Sequence, residues 1–156
     1  MWHTIFITLH ALAGVVAFVA GCVAIPQGSL FASYLWSLVG MELFLMLAIA
    51  TEWGELSTPT RVLFAALTAL GGVMVLRAAQ ARRLVPSGAG RPSGRYFDHI
   101  GFTLVALVDA FLVVTVLNLG VPGWAVATTG VLVAVAGHFA LRAFRSRLVP
   151  DAVPLG

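Results

Sequence analysis

Three ionisable side chains lie inside long apolar runs of this chain, and they are the first candidates for chemistry. They are His10, Glu42 and Asp109. A charged group at the centre of a bilayer costs about 2.5 to 3.5 kcal/mol on insertion scales, so such a residue in a membrane helix indicates a functional site. A histidine with two carboxylates can hold a divalent metal ion, relay protons, or act as general acid and base on an apolar substrate.

These three residues are predicted to lie at one depth in a membrane. If each apolar run is a helix that crosses the bilayer, a rise of about 1.5 Å per residue places them roughly 12 to 15 Å from the outer end. The alternative is a structural role. In that case they hydrogen-bond to one another, to Thr8, Ser37 or backbone groups, and hold the helices together without chemistry.

Two further histidines, His99 and His138, are predicted near the cytoplasmic ends of later apolar runs. A facing pair of neutral imidazoles can ligate a haem iron or another metal. The alternative is an interfacial His99 beside Asp98, and a His138 that makes a polar contact between helices. The chain has no phosphate-binding loop, nucleophile elbow or zinc-spaced cysteine motif.

The apolar runs identify a membrane protein, because 60% of the 156 residues are hydrophobic and only 10% are charged. Such a composition excludes an ordinary soluble domain. One crossing takes roughly 20 helical residues, so we predict an all-α fold, a single transmembrane domain 1–156 with a bundle of five transmembrane helices. The predicted spans are residues 4–25, 30–51, 62–76, 100–119 and 124–141. The third is short and crosses if the flanking Arg61 and Arg77 extend to the headgroups.

All nine basic residues are arginine, and eight of them fall on one side of the predicted bundle. They lie in the basic loop 77–97 and the tail 142–156, whereas the second connection carries Glu52 and Glu55 with Arg61. Cytoplasmic segments are enriched in arginine and lysine, which predicts an outside N-terminus and a cytoplasmic C-terminus. The lack of lysine and the abundance of Ala, Val, Leu and Gly favour a bacterial plasma membrane, and no nucleic acid partner is expected.

Two other patterns describe how the helices are arranged. Trp2, Trp53 and Trp124 fall at the predicted outer interface, where aromatic belts occur. Small residues repeated on one face mark close helix contacts in lipid. The predicted contact stripes are Gly14, Ala17 and Gly21 in the first span, Ala65, Ala69 and Gly72 in the third, and Ala127, Gly130, Ala134 and Gly137 in the fifth.

The single cysteine, Cys22, follows Val19-Ala20-Gly21 in a pattern that is similar to a lipoprotein processing site. No basic residue precedes the first apolar run, although a signal peptide needs a positive start. The predicted topology also places Cys22 at the cytoplasmic end of its helix. We therefore expect a free thiol in a retained helix rather than a lipidated N-terminus.

The stretch His10-Ala11-Leu12-Ala13-Gly14, followed by an apolar run and the turn Gly28-Ser29, resembles a family of uncharacterised bacterial multi-pass membrane proteins. The resemblance continues at Tyr34 and His99 and covers roughly two thirds of the chain. In that family a His and an Arg follow the turn, where this chain has Phe31-Ala32-Ser33. The resemblance implies a polytopic helical fold and supplies no activity.

These features lead to one main hypothesis and two alternatives. The main hypothesis is a buried polar site of His10, Glu42 and Asp109 that handles a metal ion, a proton or a small apolar molecule such as a quinone, in transport or redox. The first alternative is a non-enzymatic accessory subunit of a larger membrane complex, or a homo-oligomer. The second is an intramembrane isomerase or cyclase that uses Glu42 and Asp109 as acid and base on an isoprenoid.

Overall fold

The computed structural model describes residues 2–86 and 92–148, and most of them belong to five long α-helices. The helices are α1 (Trp2–Gln27), α2 (Phe31–Glu52), α3 (Thr58–Ala81), α4 (Gly94–Asn118) and α5 (Gly123–Leu148), with a 3₁₀ turn at Arg82–Leu84. Each of the five is long and apolar enough to cross a membrane. The described part of the chain contains no strand. The predicted all-α, five-helix fold is confirmed, and the chain is a multi-pass membrane protein.

The helices extend beyond the predicted spans where arginines occur. α3 is 24 residues long and includes both Arg61 and Arg77, so it extends beyond the predicted span 62–76 at both ends. α4 begins at Gly94, inside the predicted basic loop, and α5 runs to Leu148, inside the predicted tail. Arginine is a good helix former, and its long side chain can reach the headgroups from within a helix. Charge therefore marks the edge of the apolar run and does not mark the end of the helix.

The connection between α1 and α2 is a tight turn that packs against the chain after α3. Gly28 and Leu30 have positive φ angles of 69° and 58°, and the Gly28 N–H donates to the Ala24 carbonyl at 2.8 Å. Glycine adopts this left-handed conformation without steric cost. A Cβ atom at Gly28 would lie only 2.8 Å from the Val85 side chain, so the two connections at this end of the bundle are in close contact.

The buried centre of the bundle lies where α1, α2 and α4 meet. Tyr34 of α2 and Tyr96 of α4 are completely buried there. Gly21 of α1 allows the approach, because a Cβ atom on it would lie 3.0 Å from the Tyr34 ring and 2.8 Å from Leu104. Ala17 is also fully buried, so the small residues of α1 face the bundle as predicted. α5 packs mainly against α4.

The contact stripe predicted for the third span is wrong. Ala65, Ala69 and Gly72 are exposed on the outside of the bundle. The buried face of α3 carries Gly71, Met74, Ala78 and Ala81 instead. Lipid tails are as apolar as a protein core, so small side chains face lipid at no cost and residue size alone does not identify the inner face.

The two ends of the bundle differ in composition. Trp2, Trp53 and Trp124 are exposed at the end where α1 begins, which we call the tryptophan end. Because successive helices are antiparallel, the starts of α2 and α4 and the end of α5 form the other end, which we call the arginine end. It carries Arg145 and Arg147 in the last turn of α5. Residues 87–91, with Arg91, and the tail beyond Leu148 lie outside the described residues.

Candidate functional site

Two histidines of α1 hydrogen-bond to the backbone of α2. His10 Nδ1 is 2.8 Å from the Met41 carbonyl oxygen, and His3 Nδ1 is 3.2 Å from the Ala48 carbonyl oxygen. The two histidines are seven residues apart on α1, and the two carbonyl groups are seven residues apart on the antiparallel α2. The two bonds therefore hold α1 and α2 in one register. A carbonyl oxygen can only accept, so Nδ1 carries the proton, and Nε2 of a neutral His10 is a hydrogen-bond acceptor.

Glu42 is the most deeply buried of the predicted site residues. It is 8% exposed, and its Oε2 atom is buried without a hydrogen-bond partner. A Cβ atom on Gly71 would overlap this carboxylate, so the space beside Gly71 is filled by Glu42. A buried polar atom without a partner costs about 1 to 3 kcal/mol. A buried oxygen without a partner needs an explanation, and a bound ligand that pairs with the oxygen is one such explanation.

His10 and Glu42 line the same cavity, which has a volume of about 450 Å³. Residues of α1, α2, α3 and α4 form its walls, so we call it the four-helix cavity. Every other described residue that lines it is apolar, and the walls include Phe64, Met74 and Phe111. An imidazole and a carboxyl group therefore face a space that is otherwise suited to a hydrocarbon.

Asp109 lines a different cavity, between α4 and α5. This α4–α5 cavity has a volume of about 650 Å³. Its ionisable lining residues are Asp98, Asp109, His138, Arg142 and Arg145. The Oδ1 atom of Asp109 is buried and has no hydrogen-bond partner. The three residues predicted at one depth are thus divided between two cavities, which argues against one substrate held between Glu42 and Asp109.

The arginine end of the α4–α5 cavity contains an ion pair. Arg145 Nη1 donates to both carboxylate oxygens of Asp98, at 3.1 and 2.9 Å. His138 lines this cavity, whereas His99 lines neither cavity and has a buried Nδ1 atom without a partner. The structure does not bring the two histidines of the predicted haem or metal pair to a common cavity.

A single leucine of α3, Leu70, lines both cavities. Gly71, which accommodates the Glu42 carboxylate, is the next residue in the chain. α4 also contributes to both walls, with Asp109 on one side and Ala110 on the other. Glu42 and Asp109 therefore belong to adjacent cavities that share Leu70 as a wall.

Neither Leu70 nor Gly71 is among the site residues predicted from the sequence. A leucine in an apolar run carries no signal of its own. Gly71-Gly72 does carry one, because glycine inside a helix is less stable than alanine by about 0.5 to 1 kcal/mol and requires a packing reason. That reason is clear for Gly71, and it is absent for Gly72, which has no atom within 4 Å of an added Cβ.

A metal site would need more ligands than the structure assembles. Among the described residues, no group of three His, Cys, Asp or Glu side chains is placed to hold a metal ion. The four-helix cavity offers only His10 and Glu42, whereas protein sites for divalent ions usually supply three or more ligands. Hydrogen bonding and proton exchange are the chemistry that these residues can supply.

Comparison with known proteins gives no relative from which a function can be transferred. No family model matches the chain, and no curated protein or solved structure matches it either. The resemblance to uncharacterised multi-pass membrane proteins stays a prediction. The function must be inferred from the two cavities and the residues that line them.

Proposed function

We propose that the four-helix cavity binds a small apolar molecule with a polar ring, such as a quinone, taken up from the bilayer. The observation that carries this proposal is the Glu42 carboxylate, which has an unpartnered oxygen and lines an otherwise apolar cavity. A ligand with one or two polar atoms satisfies that oxygen and fills the apolar space. The cavity volume of about 450 Å³ lies within the usual range of small-molecule sites.

The two polar groups determine which ligand atoms fit. His10 Nε2 accepts a hydrogen bond, and a carboxyl group accepts in either protonation state and donates one when it is protonated. A quinol hydroxyl can donate to His10, and a quinone carbonyl can accept from protonated Glu42. Among the described residues no Arg side chain lines this cavity, so the described walls offer an anionic ligand no permanent counter-ion.

The apolar walls suit a flat ring that slides between side chains. Met41 and Met74 line the cavity together with Phe64 and Phe111. Methionine side chains are flexible and polarisable, and they make favourable contacts with aromatic rings. A ring in contact with Met41 and Met74 lies in the same cavity as the Glu42 carboxyl group.

Calorimetric titration of the purified protein in lipid nanodiscs with a short-chain ubiquinone analogue tests this function. We expect saturable binding to the wild type. Glu42→Leu keeps a similar volume and removes the polar group, so it should weaken binding about tenfold or more, the equivalent of at least one buried hydrogen bond. His10→Leu should weaken it in the same direction.

Asp109→Leu is the matched control, because Asp109 is a carboxylate that lines the α4–α5 cavity alone. This variant should bind the quinone with the wild-type Kd. Absence of saturable binding to the wild type, or equal Kd values for Glu42→Leu and the wild type, would show that the four-helix cavity is not a quinone site.

We also propose the orientation and the membrane of this protein. The arginine distribution supports a bacterial plasma membrane protein with the tryptophan end outside and the arginine end in the cytoplasm. Reporter fusions after Leu148 should be active only with a cytoplasmic reporter. A periplasmic reporter that is active at that position would reverse the orientation.

A role as an accessory subunit is a second candidate, and the exposure of α5 supports it. α5 packs mainly against α4, and Val131, Val135 and Phe139 are exposed on its outer side. Purification in mild detergent tests this role. A stoichiometric partner that α5 substitutions such as Val131→Ser release would support it, and a monomer of unchanged size would contradict it.

A further inference from the structure

Two carboxylates, each with one buried oxygen that lacks a hydrogen-bond partner, line the two cavities that share Leu70. Glu42 Oε2 and Asp109 Oδ1 are both buried and lack hydrogen-bond partners. Glu42 lines the four-helix cavity, Asp109 lines the α4–α5 cavity, and Leu70 lines both. Ionisable residues in adjacent intramembrane cavities are typical of proton pathways.

Further titratable groups continue from Asp109 to the arginine end of the bundle. His138 of α5 lines the α4–α5 cavity. Asp98, at the start of α4, also lines it and forms an ion pair with Arg145. Asp98 and Asp109 are separated by 11 residues of one helix, or roughly 16 Å. The α4–α5 cavity thus leads from the polar end of the bundle to its interior.

Titratable groups also continue from Glu42 to the tryptophan end. Glu42 shares its cavity with His10. His3 lies two helical turns further along α1, and its Nδ1 is 3.5 Å from Glu52 Oε2. The side chains of His3 and Glu52 are partly exposed, at 32% and 43%. Ionisable side chains therefore occur at intervals from the tryptophan end to the arginine end of the bundle, and Leu70 lines both of the cavities that hold the central ones.

We propose that the bundle conducts protons between its two ends, with Asp109 and Glu42 as the two carriers on either side of Leu70. A proton from the arginine end binds the Asp109 carboxylate through water in the α4–α5 cavity. When the Leu70 side chain changes rotamer, water joins the two cavities, and the proton passes from Asp109 to the Glu42 carboxylate. From Glu42 it leaves past His10 and His3, and the reverse direction uses the same groups. One proton moves in each step, and the membrane potential or pH difference drives it.

Leu70 is the partition in this pathway rather than a proton carrier. Its side chain keeps the two cavities separate while it occupies the shared wall, which prevents continuous leakage of protons. A smaller residue at this position leaves an opening between the cavities. The pathway does not depend on the identity of the ligand in the four-helix cavity.

Proton flux into proteoliposomes tests the proposal. The protein is reconstituted in vesicles that contain a pH-sensitive dye, and a potassium gradient with valinomycin sets the membrane potential. We expect wild-type flux above that of protein-free vesicles and a higher flux for Leu70→Ala. Asp109→Asn and Glu42→Gln keep the size and hydrogen bonding of the side chain but cannot carry a proton, so each should reduce the flux to the protein-free rate. Each should have the same effect when it is combined with Leu70→Ala.

Leu76→Ala is the matched control, because Leu76 is an exposed leucine of the same helix that lines neither cavity. It should conduct as the wild type does. Asp109→Glu, which restores a titratable carboxyl, should recover flux, and a monodisperse elution profile shows that each variant is folded. Protein-free rates for both the wild type and Leu70→Ala would overturn the proposal, as would wild-type flux in Asp109→Asn. Saturable quinone binding to the wild type in the calorimetric titration would leave the proposed function standing in either case.

Discussion

The carboxylate of Glu42 occupies the space that a side chain at position 71 would need. A Cβ atom added to Gly71 would overlap Glu42 Oε2, so α3 can approach α2 only because residue 71 is glycine. This contact places the carboxyl group against the backbone of α3 and beside Leu70. The glycine therefore determines where the Glu42 carboxylate lies in the four-helix cavity.

The first prediction concerns the two adjacent glycines of α3. Gly71→Ala should destabilise the protein by about 1 to 3 kcal/mol, the cost of overpacking a filled interior, and should weaken quinone binding because the Glu42 carboxylate must move. Gly72→Ala has free space around the new methyl group, so it should stabilise the helix by about 0.4 to 1 kcal/mol. Reversible unfolding in detergent by a chemical denaturant measures the free energy of unfolding of both variants. Equal stability of the two variants would refute the packing that we describe.

The second prediction concerns the bond from His10 to the Met41 carbonyl. His10→Leu removes this hydrogen bond, and interhelical hydrogen bonds in membranes contribute about 0.6 kcal/mol on average and at most about 1.7. We expect a loss of stability within that range. His138→Leu is the control, because His138 is exposed and makes no hydrogen bond among the described residues. A His10 variant as stable as the His138 variant would show that the bond does not hold α1 to α2.

The third prediction compares two buried tyrosines. The Tyr96 hydroxyl donates to the Ala24 carbonyl at 2.8 Å and links α4 to α1, whereas the buried Tyr34 hydroxyl lies near the Thr103 side chain and makes no hydrogen bond of good geometry. Tyr96→Phe should therefore cost about 1 kcal/mol, and Tyr34→Phe should cost less, because little hydrogen-bond energy is lost with its hydroxyl. Thermal unfolding followed by circular dichroism tests the difference, and the opposite order of stabilities would contradict it.

The fourth prediction concerns the ion pair at the arginine end. The side chains of Asp98 and Arg145 are 44% and 52% exposed, so solvent and salt screen their attraction. A double-mutant cycle with Asp98→Asn and Arg145→Gln should give a coupling energy of about 0 to 1 kcal/mol that falls as salt is added. A larger coupling that salt does not change would mean that the pair is buried against lipid.

The sequence predicts the five helices well because the bilayer imposes one simple requirement, an apolar run of sufficient length. It also predicts that His10 faces the bundle, because His10 shares a helix face with the small residues Ala17 and Gly21. In the structure both small residues are buried, and His10 hydrogen-bonds to α2. It does not predict the ends of α3, α4 and α5, since arginine continues a helix beyond the apolar run.

The arrangement of the polar residues around the bundle is harder to predict. Depth along a helix follows from residue counting, so one level for His10, Glu42 and Asp109 is a reasonable expectation. Which neighbour a side chain faces depends on the rotation of each helix, and packing between helices sets that rotation. Asp109 lies on the face of α4 that meets α5, and nothing in the apolar pattern distinguishes that face from the one that meets α1 and α3.

Photochemical labelling of the protein in membranes with an azidoquinone, followed by mass spectrometry of the labelled peptides, tests directly whether the four-helix cavity binds a quinone. The ligand site that we propose predicts adducts on buried residues of the four-helix cavity, with Met41 and Met74 among them, and loss of these adducts when unlabelled quinone is added or in Glu42→Leu. Adducts confined to exposed residues such as Trp36 and Val131, without competition by unlabelled quinone, would contradict it.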